Sequence, residues 1–295
     1  MKILVIGKNG QIGRYLQKSL DSINNEILFS GSADLDVSKK DDVLCLFNSF
    51  SPEIVINASA YTNVERSESD PRSAYLINTT GVDNLVFACE KFGTSLIHIS
   101  TDYVFDGKGK IPYSTSCPPN PKNIYGKSKL AGENKIVQSN INYYILRTSW
   151  VFSEFNINFV KTMLDKGLDG SSLRIVSDQV GNPTFAGDIA DAICLMLPRL
   201  QEKRCRELYH YCGAPHCSWY EFANEIFEIA TDKFILNRKP EITKIKTVDY
   251  KSVVERPLFT SLDCSKFETV FGGKMPQWKS SLGKLLDRIG PLRGK

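Results

Sequence analysis

The chain begins with the run KILVIGKNGQIG, residues 2–13, in which five mostly apolar residues lead directly into a glycine-rich turn. The apolar run predicts a strand, and the helical pattern over 11–20 follows the turn. Glycines let backbone amides approach a pyrophosphate, whose charge is stabilised at a helix N-terminus. A glycine turn alone is weak evidence, because many tight strand-to-helix turns use glycine. Its place in a βαβ rhythm predicts a dinucleotide site that includes Gly7, Gly10, Gln11, Ile12 and Gly13.

Short β-branched runs alternate with longer amphipathic segments through the first two hundred residues. This rhythm predicts an α/β fold with a doubly wound, parallel, Rossmann-type sheet that binds its ligand at the carboxyl ends of the strands. The predicted strands are 2–6, 26–30, 53–57, 95–100, 143–147 and 173–177, and the predicted helices are near 11–20, 40–50, 72–92, 126–139 and 186–197.

The rhythm becomes irregular after about residue 148, where glycine, proline and aromatic residues interrupt it. We therefore expect a dinucleotide-binding domain over 1–148, with later returns near 172–199. A smaller, discontinuous substrate-binding lobe is expected mainly over 149–295.

Composition limits the class of protein. Of the 295 residues, 42% are hydrophobic and 24% charged, which is ordinary for a soluble globular protein. The formal charge is +4 and the basic residues are scattered, so no nucleic-acid partner is expected. No stretch approaches the ~18 apolar residues of a membrane span, and the first apolar run is too short for a signal peptide. With eight cysteines and no C-x-x-C pair, these features predict a cytoplasmic protein without a membrane partner.

Two further segments supply the parts of a carbonyl-reducing site. Residues 100–103 read STDY after an apolar run, and residues 125–129 read YGKSK. If Tyr125 opens a helix, the i, i+4 spacing places Lys129 on the same face. A phenol titrates near pH ~10 in water, so a nearby cation would make its oxyanion accessible. With a nicotinamide cofactor, Tyr125 would donate a proton to a carbonyl oxygen that the Thr101 hydroxyl also contacts.

The end of the second predicted strand bears on the choice of cofactor. An acidic residue there binds the ribose 2′-hydroxyl and repels a 2′-phosphate. Residues 30–33 read SGSA, and the first carboxylates are Asp34 and Asp36. NADPH is therefore permitted, but no arginine requires it, so the cofactor is NADPH or NADH. Asp36 either contacts the adenine or caps the helix that starts near Lys39.

One cluster could bind a metal. His210, Cys212, His216 and Cys217 offer four soft ligands. Residues 209–211, however, alternate like the end of a strand, and adjacent ligands at 216 and 217 make an awkward tetrahedron. We therefore expect no metal.

Longer segments carry a resemblance that covers nearly the whole chain. They include GKNGQIG at 7–13, VINASAYT at 55–62, LIHISTDYVFDG at 96–107, YGKSKLAGE at 125–133, RTSWV at 147–151 and DQVGNPT at 178–184. These segments resemble the extended short-chain dehydrogenases and, within them, the dTDP-4-dehydrorhamnose reductases. The resemblance implies NAD(P)H-dependent reduction of the C4 ketone of dTDP-4-dehydro-L-rhamnose to dTDP-L-rhamnose, with a sugar nucleotide as the partner.

The resemblance also implies roles for individual residues. The matching catalytic residues are Thr101, Tyr125 and Lys129. Tyr125 and Lys129 also match cofactor contacts, as do Asp36, Ala58 and Ala60. The matching substrate contacts are Thr62, Val104, Trp150, Asn158, Gln179 and Arg256. On physical grounds Arg256 suits a diphosphate clamp, although it could equally pair with a surface carboxylate.

Two positions depart from the resemblance. Some relatives use glutamates to hold magnesium across a dimer contact, and the matching positions here are Tyr15 and Gly187. Neither offers a carboxylate, so we expect no such magnesium and a monomer or weak homodimer. The motifs leave open a reductase of a related sugar nucleotide, such as one forming 6-deoxy-L-talose. They also leave open an epimerase or dehydratase, and a non-catalytic cofactor-binding regulatory subunit.

Overall fold

The computed structural model describes residues 1–21, 25–170, 172–200 and 205–290. In chain order its strands are β1 (Lys2–Ile6), β2 (Glu26–Ser30), β3 (Ile54–Asn57), β4 (Ser95–Thr101), β5 (Tyr143–Thr148), β6 (Val151–Phe152), β7 (Leu173–Val176), β8 (Val180–Gly181), β9 (Thr184–Phe185), β10 (Arg206–His210), β11 (Cys217–Ser218) and β12 (Ile242–Ile245).

The helices complete the chain. They are α1 (Gln11–Leu20), α2 (Lys40–Phe50), α3 (Val64–Ser69), α4 (Pro71–Tyr75), α5 (Gly81–Phe92), α6 (Ile124–Gln138), α7 (Phe159–Leu168), α8 (Ala186–Leu200), α9 (Trp219–Asp232), α10 (Ser265–Phe271) and α11 (Trp278–Ile289). A π-helical turn, Leu76–Thr80, joins α4 to α5, and short 3₁₀ turns lie at Asp102–Val104 and Thr247–Asp249.

Six strands form a parallel sheet in the order β10-β5-β4-β3-β1-β2. From β1 the chain moves to β2 on one side, and β3 lies on the other side. The strand order therefore reverses between β1 and β3. In open α/β sheets, ligands bind in the crevice at the carboxyl ends of the strands at such a point. The predicted fold class is confirmed.

Alternate residues of the strands pack into two apolar layers, one on each face of the sheet. In β1, Ile3 and Val5 belong to the layer that contains α1 and α8. Leu4 and Ile6 belong to the layer that contains α2 and α5. Because both faces are covered, the strands are apolar along their whole length, which explains the continuous runs in the sequence.

The sixth strand of the sheet was wrongly predicted. The strand expected over 173–177 forms as β7, but it pairs with β12 in a separate two-stranded sheet. The sixth position is taken by β10, which follows α8 and pairs with β5. An apolar run predicts a strand without specifying its partner, and here the packing of α8 against α1 returns the chain to the main sheet.

The smaller lobe is built from short pairs. Strand β6 pairs with β9, β8 with β11 and β7 with β12, while α7 packs against α9. The predicted boundaries between the two domains stay a prediction. Within the described ranges, no helix combines the length and the apolar character needed to cross a membrane.

Candidate functional site

A cavity of about 550 Å³ lies at the carboxyl ends of β1, β3, β4 and β5 and is called the central cavity here. It collects most of the residues that the sequence analysis singled out. Those that line it are Gly10, Gln11, Ile12, Ala58, Ala60, Thr62, Thr101, Tyr125, Lys129, Trp150, Asn158 and Arg256.

The glycine turn forms one wall of the central cavity. Gly7 has φ +96°, and a Cβ there would lie 2.7 Å from the Ala58 carbonyl carbon, so only glycine fits between β1 and β3. Helix α1 begins after Gly10 with no side-chain cap and no acidic residue in its first turn. Its first amides are therefore available to an anion, and the turn suits a dinucleotide pyrophosphate.

The start of α6 brings the tyrosine close to the end of β4. The Asn123 side chain accepts from Gly126 N at 2.9 Å and caps the helix. A Cβ at Gly126 would lie 2.2 Å from the Tyr103 carbonyl oxygen, so glycine allows this close approach. Thr101 and Tyr125, twenty-four positions apart in the chain, thus meet in the central cavity.

Tyr125 is partly buried, and its surroundings keep it protonated. Burial raises the pKa of Tyr125 well above its usual range, and the hydrogen bond with Thr101 offsets this only in part. The neighbouring Asp102 is also buried, and its pKa is raised to about 7, although hydrogen bonds from Thr260 and Thr101 act in the opposite direction. A protonated phenol suits a group that donates a proton to a carbonyl oxygen.

Lys129 is 2% exposed and lies one turn after Tyr125 on α6. Its Nζ donates to the Ile99 carbonyl oxygen at 2.7 Å and lies 3.2 Å from His98 Nε2. Burial lowers the pKa of Lys129 to about 8, and the charge of Glu133 acts against this. The predicted lowering of the Tyr125 pKa by Lys129 stays a prediction, since burial is the largest influence on that phenol.

A buried ion pair links α6 to the main sheet. Glu133 on α6 accepts from Arg147 Nε at 2.9 Å and from Nη2 at 2.6 Å, and also from the Ser100 hydroxyl. Both charged side chains are less than 5% exposed. The pair therefore ties α6 to β4 and β5 directly beneath the site.

Asn158 and Gln11 connect the glycine turn to the smaller lobe. Asn158 caps α7 through Lys161 N at 3.3 Å, and its Nδ2 donates to the Ser153 carbonyl at 2.7 Å and to Gln11 Oε1 at 3.1 Å. The Ser153 hydroxyl donates to the same Gln11 oxygen at 2.7 Å. The Gln11 and Asn158 side chains, both predicted as site residues, thus hydrogen-bond two parts of the cavity lining to each other.

A second cavity shares aromatic lining residues with the central cavity. Trp150, at φ +43°, stacks on Trp219 with ring centroids 3.4 Å apart and planes 5° apart. The second cavity, of about 630 Å³, is called the outer cavity here and shares Phe159, Trp219 and Arg256 with the first. Its other polar lining residues include Thr162, Lys166, Arg174, Gln179 and Tyr250.

Arg256 lies where the two cavities meet. Its Nη1 donates to the Tyr103 hydroxyl at 3.1 Å, and its Nη2 forms an ion pair with Glu65 at 3.2 Å. Its Nε is buried without a hydrogen-bond partner among the described residues. Arg256 therefore fits both roles considered for it. It pairs with a carboxylate, and it also lines both cavities, where it could bind a diphosphate.

Several predicted residues lie outside the central cavity. Val104 is fully buried against Phe105 and Leu262, and Gln179 lines the outer cavity. Gly7 and Gly13 belong to the glycine turn but do not line the central cavity. Asp36 accepts from Ser38 N and Oγ in the turn before α2, and it does not cap that helix.

The end of β2 carries a pair of opposite charges. Lys8 Nζ lies 2.6 Å from Asp34 Oδ2, and that oxygen also accepts from Gly31 N at 2.8 Å. The carboxylate nearest to this strand end is thus neutralised by a lysine from the glycine turn.

The candidate metal ligands have other partners. His210 Nδ1 lies 3.0 Å from the Tyr113 carbonyl, Cys212 Sγ lies 3.4 Å from Cys264 Sγ, and His216 Nδ1 lies 3.3 Å from the Ser261 hydroxyl. Among the residues that the structure describes, no group of three or more histidine, cysteine, aspartate or glutamate side chains could hold a metal ion.

The position predicted to lack a magnesium ligand is occupied by an aromatic cluster. The Tyr15 hydroxyl donates to Glu154 at 2.7 Å and accepts from Arg288, and its ring packs on Phe185. Gly187 lies beside these rings.

The sequence analysis did not single out some residues of the site. Trp219 and Phe159 were not named there, and Ser59 and Asp102 appeared only within quoted segments. His98 was hidden within an apolar strand. A polar residue inside such a run was the available signal, since a buried histidine needs hydrogen-bond partners.

Known proteins resemble this chain over nearly its full length. A family model described as "RmlD substrate binding domain" matches residues 1–290. A dTDP-4-dehydrorhamnose reductase of Aggregatibacter actinomycetemcomitans is 38% identical over 284 residues, covering 95% of this chain and 97% of that protein. The solved structure of a dTDP-4-dehydrorhamnose reductase from Clostridium acetobutylicum matches with a TM-score of 0.91 and 37% identity, covering 98% of this chain and 99% of that one. The reductase from Bacillus anthracis, solved in complex with NADP, matches with a TM-score of 0.89 and 32% identity, covering 97% and 99%.

Proposed function

Since the chain belongs to the dTDP-4-dehydrorhamnose reductase family, we propose that the central cavity is the active site of this reaction in this protein. The chain is an NAD(P)H-dependent oxidoreductase that reduces the keto group of a sugar nucleotide, so the predicted family, activity and cofactor class are confirmed. The observation that carries the site proposal is the meeting of Thr101, Tyr125 and Lys129 beside the glycine turn.

Each residue of the site has its own role in the reaction. A bound nicotinamide cofactor supplies the hydride for the carbonyl carbon. Tyr125, kept protonated by burial, donates its phenolic proton to the carbonyl oxygen. The Thr101 hydroxyl donates to Asp102 Oδ1 at 3.1 Å in the free protein. With substrate bound it turns to donate to the carbonyl oxygen and stabilises the charge that develops there. The amides around Gly10 hold the pyrophosphate, and Lys129 holds the nicotinamide ribose.

The sugar nucleotide extends from the central cavity into the outer one. The sugar ring lies against Trp150 and Thr62, and the nucleotide enters the outer cavity past Trp219. Arg256, at the junction, binds the diphosphate in place of its pair with Glu65. A guanidinium is suited to this exchange because it can donate two parallel hydrogen bonds to a phosphate.

Three further features complete the proposal. Lys8, beside the end of β2, offers a cation to a 2′-phosphate, so both NADPH and NADH are accepted. Reduced, partly buried thiols support a cytoplasmic location. The protein acts as a monomer or weak homodimer, because Tyr15 and Gly187 provide no carboxylates for a shared magnesium ion.

The test uses NADPH oxidation with dTDP-4-dehydro-L-rhamnose and NMR of the product. We expect an L-rhamno product; an L-talo product would support the related reductase instead. Tyr125→Phe should lower kcat by about 10²–10⁴-fold, the usual range for a general acid, while NADPH still binds. The matched control is Tyr143→Phe, which removes a hydroxyl from β5 outside the cavity and should leave kcat unchanged. Near-normal turnover by Tyr125→Phe would remove Tyr125 from its proposed role.

A further inference from the structure

A row of polar side chains crosses the sheet and ends at the catalytic lysine. It runs from Ser59, which lines the central cavity, through Asn57 and His98 to Lys129. Asn57, His98 and Lys129 are each at most 2% exposed. In such surroundings every donor needs an acceptor, so the row constrains where its protons lie.

The orientation of the Asn57 amide follows from its contact with Ser59. The Ser59 backbone nitrogen donates to Asn57 Oδ1 at 3.1 Å, and the Ser59 hydroxyl donates to the same oxygen at 2.6 Å. A backbone N–H can only donate, so the oxygen must face Ser59. The Asn57 amide nitrogen then faces His98 Nδ1, at 3.1 Å.

This orientation determines the tautomer of His98. An amide nitrogen can only donate, so His98 Nδ1 must accept. Burial lowers the pKa of His98 well below its usual range, so the ring is neutral and carries one proton. That proton lies on Nε2, which points at Lys129 Nζ from 3.2 Å.

Lys129 is the last residue of the row. An ammonium group has three donors and no acceptor, so it cannot accept from His98 Nε2–H. A neutral amine can, and it can still donate to the Ile99 carbonyl oxygen at 2.7 Å. We propose that the Ser59, Asn57 and His98 row favours the neutral amine form of Lys129 in the cofactor-free protein, and that cofactor binding draws a proton from solvent onto Lys129. His98 is thus a positioning residue.

The groups around Lys129 agree with this assignment. On its own helix, burial keeps Tyr125 protonated, and the charge of Glu133, which raises the pKa of Lys129, is paired with Arg147 from β5. From β4 it meets the neutral His98 ring and the Ile99 carbonyl oxygen. Burial lowers the pKa of Lys129 to about 8, in the direction that the row requires. A bound dinucleotide brings negative charge and ribose oxygens, which favour the ammonium form.

The first test reads the tautomer directly and does not depend on the proposed function. The chain has three histidines, so ¹⁵N-histidine NMR yields three ring systems, which His98→Gln and His216→Gln assign. His98 should carry its proton on Nε2. His210 is an internal control with the opposite tautomer, because its Nδ1 faces the Tyr113 carbonyl oxygen at 3.0 Å, which only accepts. A proton on Nδ1 of His98 would overturn the inference.

The second test measures protons taken up when NADPH binds, and this part rests on the proposed function. Because the pKa of Lys129 is lowered to about 8, the neutral fraction grows with pH in this range, so calorimetry in buffers of different ionisation enthalpy should show uptake of a fraction of a proton that increases with pH. Binding without uptake would refute the coupling. A failure to bind either dinucleotide would count against the proposed function, while the NMR result would still decide the state of the row.

The matched variant is Asn57→Asp, which keeps the shape of the side chain. The new carboxylate still accepts from Ser59, but its second oxygen accepts where the amide donated. The His98 proton should therefore move to Nδ1, leaving Nε2 as an acceptor for a Lys129 ammonium. We expect the NMR tautomer to invert and the proton uptake to fall towards zero. An unchanged tautomer in this variant would contradict the argument.

Discussion

Replacing Glu133 by glutamine tests whether the buried ion pair beneath the site stabilises the fold. The substitution keeps the size of the side chain and removes its charge. Arg147 would then keep a guanidinium that is only 4% exposed, and its Nη1 already lacks a partner among the described residues. Glu133 would also stop raising the pKa of Lys129, so that pKa should fall further.

The expected size of the effect follows from this burial. Removing one partner of a buried ion pair costs about 3–5 kcal/mol, because the remaining charge stays desolvated and uncompensated. At roughly 2 °C per kcal/mol for a chain of this size, Tm should fall by about 6–10 °C. Replacing both partners by apolar groups of similar volume is often neutral, so the double variant Glu133→Leu with Arg147→Met should recover much of this loss.

The assay is thermal and urea unfolding of the wild type and the variants at neutral pH. The matched control is Glu207→Gln, which removes a carboxylate from an ion pair with Lys266. The two charged groups lie 2.6 Å apart, and the side chains of Glu207 and Lys266 are 48% and 38% exposed. Such a surface pair contributes less than about 1 kcal/mol. If Glu133→Gln loses no more stability than Glu207→Gln, the Glu133 pair does not support the fold as argued.

Three further outcomes are expected. Because burial raises the pKa of Asp102 to about 7, the folded protein keeps a proton there that the unfolded chain releases near pH ~4, so stability falls as pH rises between these values. Asp102→Asn should therefore gain a few kcal/mol over the wild type between about pH 4 and pH 7 in urea unfolding, and parallel pH profiles would contradict this. Trp219→Ala should raise KM for the sugar nucleotide by up to about tenfold, because it removes the ring stacked on Trp150. The Kd of NADPH measured by calorimetry should stay the same, and an unchanged KM would exclude Trp219 from the substrate site. Asn158→Ala should cost about 1–2 kcal/mol in the same unfolding assay, because it removes the cap of α7, and equal stability would show that the cap is replaced by solvent.

Local pattern predicted much of the fold, and the position of the site that it indicates stays a prediction. The apolar run and glycine turn at 2–13 specify a strand, a turn and a helix through interactions between near neighbours. The spacing of Tyr125 and Lys129 likewise follows from one helix. The sheet position of 173–177 was predicted wrongly, since a strand's partner depends on how distant helices pack.

The amino-acid pattern alone predicted the α/β class, which is confirmed, and the glycine turn between β1 and α1, because both depend on contacts within a few residues. The catalytic roles of Thr101, Tyr125 and Lys129 stay predictions from the sequence. The proton on His98, the state of Lys129 and the meeting of the two cavities at Arg256 depend instead on groups far apart in the chain. Asn57, His98 and Lys129 come from β3, β4 and α6, and their hydrogen bonds exist only after the sheet has brought them together. Burial then shifts their pKa values, and burial is a property of the folded molecule as a whole.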